Sequence, residues 1–316
     1  MEEDYINFHQ TGNRFVKRSF SMNFMGQEWN TYKANLHSHT KLSDGAYTPQ
    51  EVIDLYAEAG YDVLAFTDHY CSNPVSTYDS KGMTLISGME LHPEGPRGIK
   101  WHILGLNIPE TMEYPKVASG QEAVDAVRNA GGIAFCAHPY WCGLTSAEVN
   151  ELQGIEGIEV YNTSCRFIGR EYNMQCWDEL LDIGRKFNAL AVDDVHGSCH
   201  LFQGFTMILA EDKSLPSIMK ALKEGRYYAS CGPIFHSITF ENNVFRAEFS
   251  EAVSVVVLHR RSAGYYGMWD QVNTPVFERN PVTSFELDCA KLKDNYLRLQ
   301  ICDRKGRMAW TNPIWV

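Results

Sequence analysis

Residues 35–45 read NLHSHTKLSDG, and the two histidines one residue apart decide how the whole chain is read. In an extended strand, residues i and i+2 face the same side, so His37 and His39 project together from the end of the preceding segment WNTYKAN. Asp44 follows in a Ser-Asp-Gly turn, close enough for a short loop to fold its carboxylate back over the same spot. Two imidazoles and a carboxylate at a strand end point to a metal site. Two surface histidines beside a turn would look the same from this stretch alone, so the remaining sequence has to decide.

From residue 31 to about 230, short apolar runs alternate with amphipathic helical stretches, the pattern of repeated β-α units around a parallel sheet. The clearest helix start is YTPQEVIDLYAEAGY. Thr48 is placed as N-cap, Pro49 at N1 and Glu51 at N3, followed by an apolar stripe of Val52, Leu55 and Tyr56 and a C-cap at Gly60. Further helices are expected at 120–131, 172–188 and 214–225. The runs DVLAFTDH, MTLISGMEL, WHILGL, GGIAFCAHP, GIEVYN and NALAVDDVH read as strands buried on both faces. Asp68 and His69, Glu90, His138, and Asp194 and His196 all close such runs, and the strand ends of α/β architectures form one rim where ligand sites are built. His102 breaks the rule by beginning its run. After GRYYASCGP the chain turns to alternating β-formers such as VFRAEFS, VSVVVLH and YLRLQICD, expected to form a small antiparallel β-module. Its His236 and His259 read as structural or solvent-facing.

Composition narrows the partners. The chain carries 28 lysines and arginines against 39 acidic residues, a formal net charge of −11 over 316 residues. That balance argues against a nucleic-acid or anionic-membrane surface, which needs clustered positive charge. No apolar run approaches the roughly 18 residues of a spanning helix. The nine cysteines are odd in number and form no CxxC, so no disulfide framework or thiolate zinc site is indicated. With the acidic start MEEDYINFHQ, the expectation is a cytoplasmic protein with no membrane association; the oligomeric state is left open.

The candidate metal ligands are His37, His39, Asp44, His69, Glu90, His102, His138, Asp194 and His196. Imidazole and carboxylate without sulfur suit zinc, manganese or iron, and the set exceeds what a single tetrahedral ion uses. Two or three divalent metal ions are therefore expected, with at least one bridging carboxylate. His92 lies nearer Glu90 in sequence than His102 does and competes with it. Taken in order, HSHTKLSDG, FTDH, GMEL, WHILGL, AHP and DDVH resemble the motifs of the polymerase and histidinol phosphatase (PHP) superfamily over about residues 31–232. GRYYASCGP and the ending AWTNPIWV resemble a subgroup with a C-terminal β-domain that includes carbaryl-hydrolase-like proteins.

The resemblance implies an α/β fold, a distorted (β/α)7 barrel with a small C-terminal antiparallel β-sandwich-like domain. The organisation expected is an N-terminal extension at 1–30, the barrel at 31–232 and the β-domain at 233–316. It further implies His37, His39 and Asp194 on one metal, Asp44, His69 and His196 on a second, and Glu90, His102 and His138 on a third, with Glu90 also bridging to the first. No side chain is then needed as nucleophile, because a metal-bound hydroxide attacks. Asp68 and Asp193 are read as partners that orient imidazoles. Substrate contacts are assigned to Arg97, Arg166, Arg170 and Tyr140, with Lys100 and Trp141 as neighbours; His200 has no role assigned. The function expected is a phosphoesterase acting on a small phosphate monoester. The alternatives are hydrolysis of a non-phosphate ester, carbamate or amide, and a non-catalytic metal-binding module.

Overall fold

The computed structural model describes residues 20–260, 263–292 and 295–315, and most of the expected N-terminal extension, residues 1–19, lies outside them. β1 (Ser21–Phe24) forms an antiparallel hairpin with β2 (Gln27–Asn35), which ends at the histidine pair. β3 (Val63–Phe66) and β4 (Thr84–Leu91) continue the sheet in parallel. β5 (Ile103–Leu106) then runs antiparallel to β4 and to β6 (Ile133–Cys136), after which β7 (Gly157–Asn162) and β8 (Asn188–Val192) are parallel again. β9 (Phe205–Ala210), which sequence reasoning did not single out, returns antiparallel along the free edge of β2.

These strands curl into the distorted barrel, whose backbone ladder is interrupted between β8 and β9. There Thr206 Oγ1 accepts the Ala191 N–H at 3.2 Å and donates to the Ala191 carbonyl at 3.0 Å, so a side chain satisfies groups that a ladder would otherwise pair. At the rim, the segments leaving β2 and β8 meet directly. His39 N–H donates to Val195 O at 3.1 Å and Asp194 N–H to His37 O at 3.0 Å. The first and last ligand motifs of the barrel are thus sewn together by backbone.

The runs VLAF, ILGL and IAFC are buried along their whole length, as strands covered on both faces must be. Ala34, Val63, Ile86, Leu104, Phe135, Leu190 and Ile208 share one apolar cluster with Ile218 and Leu222 of the helix Leu215–Lys223, so the lumen is a packed core. The helix Pro49–Glu58 has the expected capping box: Thr48 N–H donates to Glu51 Oε2 at 2.7 Å, and Glu51 N–H to Thr48 Oγ1. Its buried face is Val52, Ile53 and Tyr56, with Leu55 at the edge of the stripe. The other expected helices are Gly120–Asn129, Met174–Asp182 and Leu215–Lys223.

β10 (Tyr227–Ser230) links the barrel to the C-terminal strands, pairing with β9 on one side. Then follow β11 (Phe235–Glu241), β12 (Val244–Ala252), β13 (Ser254–His259), β14 (Gly264–Tyr266), β15 (Val282–Asp288), β16 (Tyr296–Cys302), β17 (Met308–Thr311) and β18 (Ile314–Trp315). They pair antiparallel with one another, and β17 also pairs with β10. In β12 the alternation is clean: Phe245, Ala247 and Phe249 are buried while Arg246 and Glu248 face out. No helix among the described residues is long and apolar enough to cross a membrane.

Candidate metal centre

The reversal of β5 explains why His102 opens its run. A strand running the other way has its beginning at the rim where its neighbours end, so His102 arrives beside Glu90 with Nδ1 at 2.8 Å from Oε1. Glu90, at the end of β4 and almost fully buried, stands at the middle of the cluster. His138 Nε2 lies 3.2 Å from its Oε1; His69 Nδ1, His92 Nε2, His37 Nε2 and His39 Nε2 lie 3.1–3.4 Å from its Oε2. His92 is therefore inside the cluster, stacked on His102 at 3.9 Å between ring centres.

Two further groupings complete the arrangement. His37 Nε2 and His39 Nε2 are 3.0 Å apart, and Asp194 Oδ1 lies 3.3 and 3.1 Å from them. Asp44 Oδ2 lies 3.4 Å from His69 Nε2 and 3.5 Å from His196 Nε2, while Asp44 Oδ1 is 3.6 Å from His39 Nδ1. His39 thus presents one ring nitrogen to each grouping. Asp194 and His138 take left-handed backbone conformations, φ 52° and 25°, which non-glycine residues adopt at a cost that functional sites often carry.

The donor set fits metal ions. His39 Nδ1, His69 Nδ1, His92 Nε2 and Asp194 Oδ1 are buried with no hydrogen-bond partner, although buried polar atoms are normally satisfied. Donor atoms about 2.0–2.2 Å from a shared ion lie about 3–3.5 Å from one another, the spacing seen here. The two central carboxylates are held in the charged form that a metal ligand needs. Burial pushes the Glu90 carboxyl up, but the imidazoles of His102 and His37 outweigh it and hold Glu90 well below its usual range. Asp194 is likewise held low against burial by His37 and His39. Burial drives His102 down to about 4, whereas His69, opposed by burial but facing Asp44 and Glu90, is raised to about 9.

The groups behind the cluster differ from the sequence reading. Among the described residues, Asp68 and Asp193 make no hydrogen bond or ion pair to an imidazole. Asp68 accepts from Thr40 N–H (2.7 Å), Thr40 Oγ1, Ser43 Oγ and Asn73 Nδ2, which folds the Thr40–Gly45 loop so that Asp44 reaches the site. Asp193 accepts from Tyr56 OH and from the N–H groups of Phe202, Gln203 and Gly204. The carboxylate that orients an imidazole is Glu159, in the middle of β7: Oε1 lies 2.6 Å from His37 Nδ1, and Oε2 accepts from His138 N–H and Asn162 Nδ2. A lone carboxylate inside the apolar run GIEVYN was its signal, because a charge in a strand buried on both faces needs a partner. Cys142 Sγ, 3.4 Å from His138 Nδ1, backs that ring. His200 Nδ1 accepts the His196 N–H.

A cavity of about 210 Å³ opens on the cluster and is lined by Asp44, Glu90, Asp194, His69, His102, His138 and His196, with Trp141, Ser164 and Cys165. None of the four residues assigned to substrate lines it. Arg97 forms a fork with Glu148 at 2.7 Å and also bonds the Gly143 carbonyl. Arg166 bonds Gln203 and the Cys199 carbonyl, and Arg170 bonds the carbonyls of Tyr140 and Trp141. Tyr140 is half exposed beside the cavity, and its neighbour Trp141 forms the wall. His236 and His259 lie on the C-terminal strands, packed against Phe20 and Tyr265.

Residues 35–181 match the family model of the PHP domain. The chain is 32% identical over 125 residues to a 3',5'-nucleoside bisphosphate phosphatase of Chromobacterium violaceum, covering 34% of this chain and 43% of that protein. It is 35% identical over 109 residues to a 5'-3' exoribonuclease of Haemophilus influenzae, covering 33% and 38%. The chain therefore spans less than half the length of either of these two curated relatives. In fold it is similar to a two-domain protein from Bacteroides vulgatus containing a predicted PHP-like metal-dependent phosphoesterase. The TM-score is 0.53 at 16% identity, covering 94% of this chain and 99% of that one.

Proposed function

We propose, from the premise that this chain carries a PHP domain over residues 35–181, that it is a metal-dependent phosphoesterase hydrolysing a small phosphate monoester. The observation that carries the reading is the convergence of orphaned imidazole and carboxylate atoms on Glu90 and Asp194 at the floor of an open cavity. In this reading His37, His39 and Asp194 hold one ion, Asp44, His69 and His196 a second, and Glu90, His102 and His138 a third, with Glu90 shared. Bound there, divalent ions of the zinc, manganese or iron type supply Lewis acidity toward phosphoryl oxygens and lower the pKa of water. The protein's part is positional. Glu159 fixes the His37 ring by its Nδ1, the Asp68-held loop presents Asp44, and Trp141 walls the cavity.

A nucleic-acid polymer fits less well, as the net charge of −11 offers little to a long backbone. The exoribonuclease relative keeps that question experimental. One observation favours the second reading, a neutral ester, carbamate or amide: among the described residues no arginine or lysine lines the cavity. We further assign the chemistry to the barrel at 31–232, with 233–316 as its supporting β-domain.

The test is metal analysis of protein prepared with the three metals in supply, followed by one panel on the same batch: nitrophenyl phosphate, sugar phosphates, nucleotides, single-stranded DNA and an aryl carbamate. Two or three ions per chain and fastest turnover of a monoester are expected. One ion or none would sink the cluster reading, and faster carbamate hydrolysis would promote the second.

A further inference from the structure

Among the described residues the cavity is lined by an exposed tryptophan and by no arginine or lysine, where a phosphate site is usually basic. Leu42, Tyr70, Tyr140, Trp141, Phe167 and Ile168 are each between 42% and 61% exposed, and each lines the cavity or stands within three residues of one that does. Large apolar side chains gathered on one face of a soluble protein mark a contact site.

Two of these aromatics pack onto the cluster, and a third reaches it through His200. Trp141 sits edge-on to His102 and His138, at 5.4 and 5.1 Å between ring centres. Tyr70 packs on His69 and His92 at 6.1 and 5.4 Å. Phe167 reaches His200 at 5.3 Å, and His200 meets His196 at 5.9 Å. Trp141 lines the cavity itself, and the turn that carries Phe167 and Ile168 contributes Ser164 and Cys165 to the same lining.

The nearby cations reinforce the wall instead of facing the ligand. Arg170 lies 5.2 Å from the Tyr140 ring centre while bonding the two carbonyls beneath it, and Arg166 lies 5.0 Å from the Phe167 ring centre. A guanidinium spread over a ring steadies that ring.

Resting on the phosphoesterase reading above, we propose that the leaving group is an aromatic alcohol seated against Trp141 and flanked by Phe167, so that the substrate is an aryl or arylalkyl phosphate monoester and not a sugar phosphate. Hydrolysis of such an ester consumes a water molecule, breaks the P–O bond to the alcohol and yields inorganic phosphate with the alcohol in its protonated form. The cluster holds the phosphate end, and the apolar rim takes the ring out of water, a contribution that a polyol cannot make.

The experiment uses the metal-loaded protein and two hydrolysis-resistant probes, naphthylmethylphosphonate and 2-hydroxyethylphosphonate, titrated calorimetrically. The naphthyl probe should bind at least about tenfold tighter, and the ratio should fall toward unity in Trp141→Ala. Phe167→Ser, in the turn whose Ser164 and Cys165 line the cavity, should lower the ratio by a smaller factor and covers the case in which the first variant fails to fold. Equal affinities in the native protein, tighter binding of the hydroxyethyl probe, or a ratio unchanged in both variants would overturn the inference. Turnover is measured separately on naphthyl and glycerol phosphates. If neither turns over, the phosphoesterase reading fails, and the binding ratio still decides whether the rim selects an aromatic group.

Discussion

Glu90 turns Oε1 toward His102 and His138 and Oε2 toward His69 and His92, so single replacements separate two ways of filling the site. His102→Ala should lower the metal content by one ion and His92→Ala should leave it unchanged, as read by elemental analysis; the reverse pattern would move the third site to His92. Asp194→Ala should abolish hydrolysis while the circular dichroism spectrum stays native, because the side chain sits at the rim and not in the packed lumen. Glu159→Gln is expected to be milder, weakening metal affinity by roughly 10- to 100-fold, as replacing a partner behind a ligating imidazole usually does. Lys33 gives a residue-scale test of electrostatics away from the candidate metal centre. Burial lowers it to about 8, against the pull of Asp193 and Asp62, while its Nζ lies 4.0 Å from the Tyr61 ring centre. The unfolded chain then binds the Lys33 proton more tightly than the folded one between pH 8 and 10.5. Stability from this residue therefore rises with pH across that window and is flat below it. Lys33→Met should raise the Tm at pH 7, and its advantage should shrink by roughly 2–3 kcal/mol by pH 10.5; a constant difference would contradict the shift.

At the scale of elements, the loop after β2 is the most demanding piece. Thr40, Ser43 and Gly45 bend back under Asp68 and the Thr40 carbonyl, and a Cβ on Gly45 would fall on the backbone of His39. Gly45→Ala should therefore displace Asp44 and cost the second metal without unfolding the barrel, which elemental analysis and a thermal melt together would show. A variant that keeps its full metal content would mean that Asp44 is not a ligand. The turn after β6 is equally tight, with His138 at positive φ feeding directly into the short helix Pro139–Cys142 that presents Trp141. The candidate ligand His138 and the cavity wall are thus set by one turn.

Across the whole molecule, the C-terminal strands grip the barrel through an ion pair whose arginine is buried. Arg298 on β16 is fully buried and forms a fork to Asp178 of the helix Met174–Asp182, with both bonds at 2.7 Å, while its guanidinium packs 4.8 Å from the Trp177 ring centre. Tyr296 OH donates to Asp182 beside it. Removing one partner strands a buried charge, so Asp178→Ala should destabilise the protein by about 3 kcal/mol with the metal content unchanged. A drop in Tm accompanied by metal loss would instead tie the C-terminal strands to the site.

Much of this protein was legible in its sequence, because strand alternation, helix capping and ligand spacing are local properties. The HSH pair, the DDVH ending, the capping box at Thr48 and the β-rich character after residue 233 all follow from periods of two or 3.6 residues and from turn chemistry. Long-range partners are not local, and there the tertiary structure decided. It reversed β5, which brings His102 to the rim from the start of its run. It placed His92 against Glu90 and Glu159 behind His37, across 122 residues of chain. It also committed Arg97 to Glu148 and left Trp141, not an arginine, facing the cavity. Sequence spacing states which side chains share a face of one element; only the packed fold states which elements meet, in which direction, and which charges are already spent on each other.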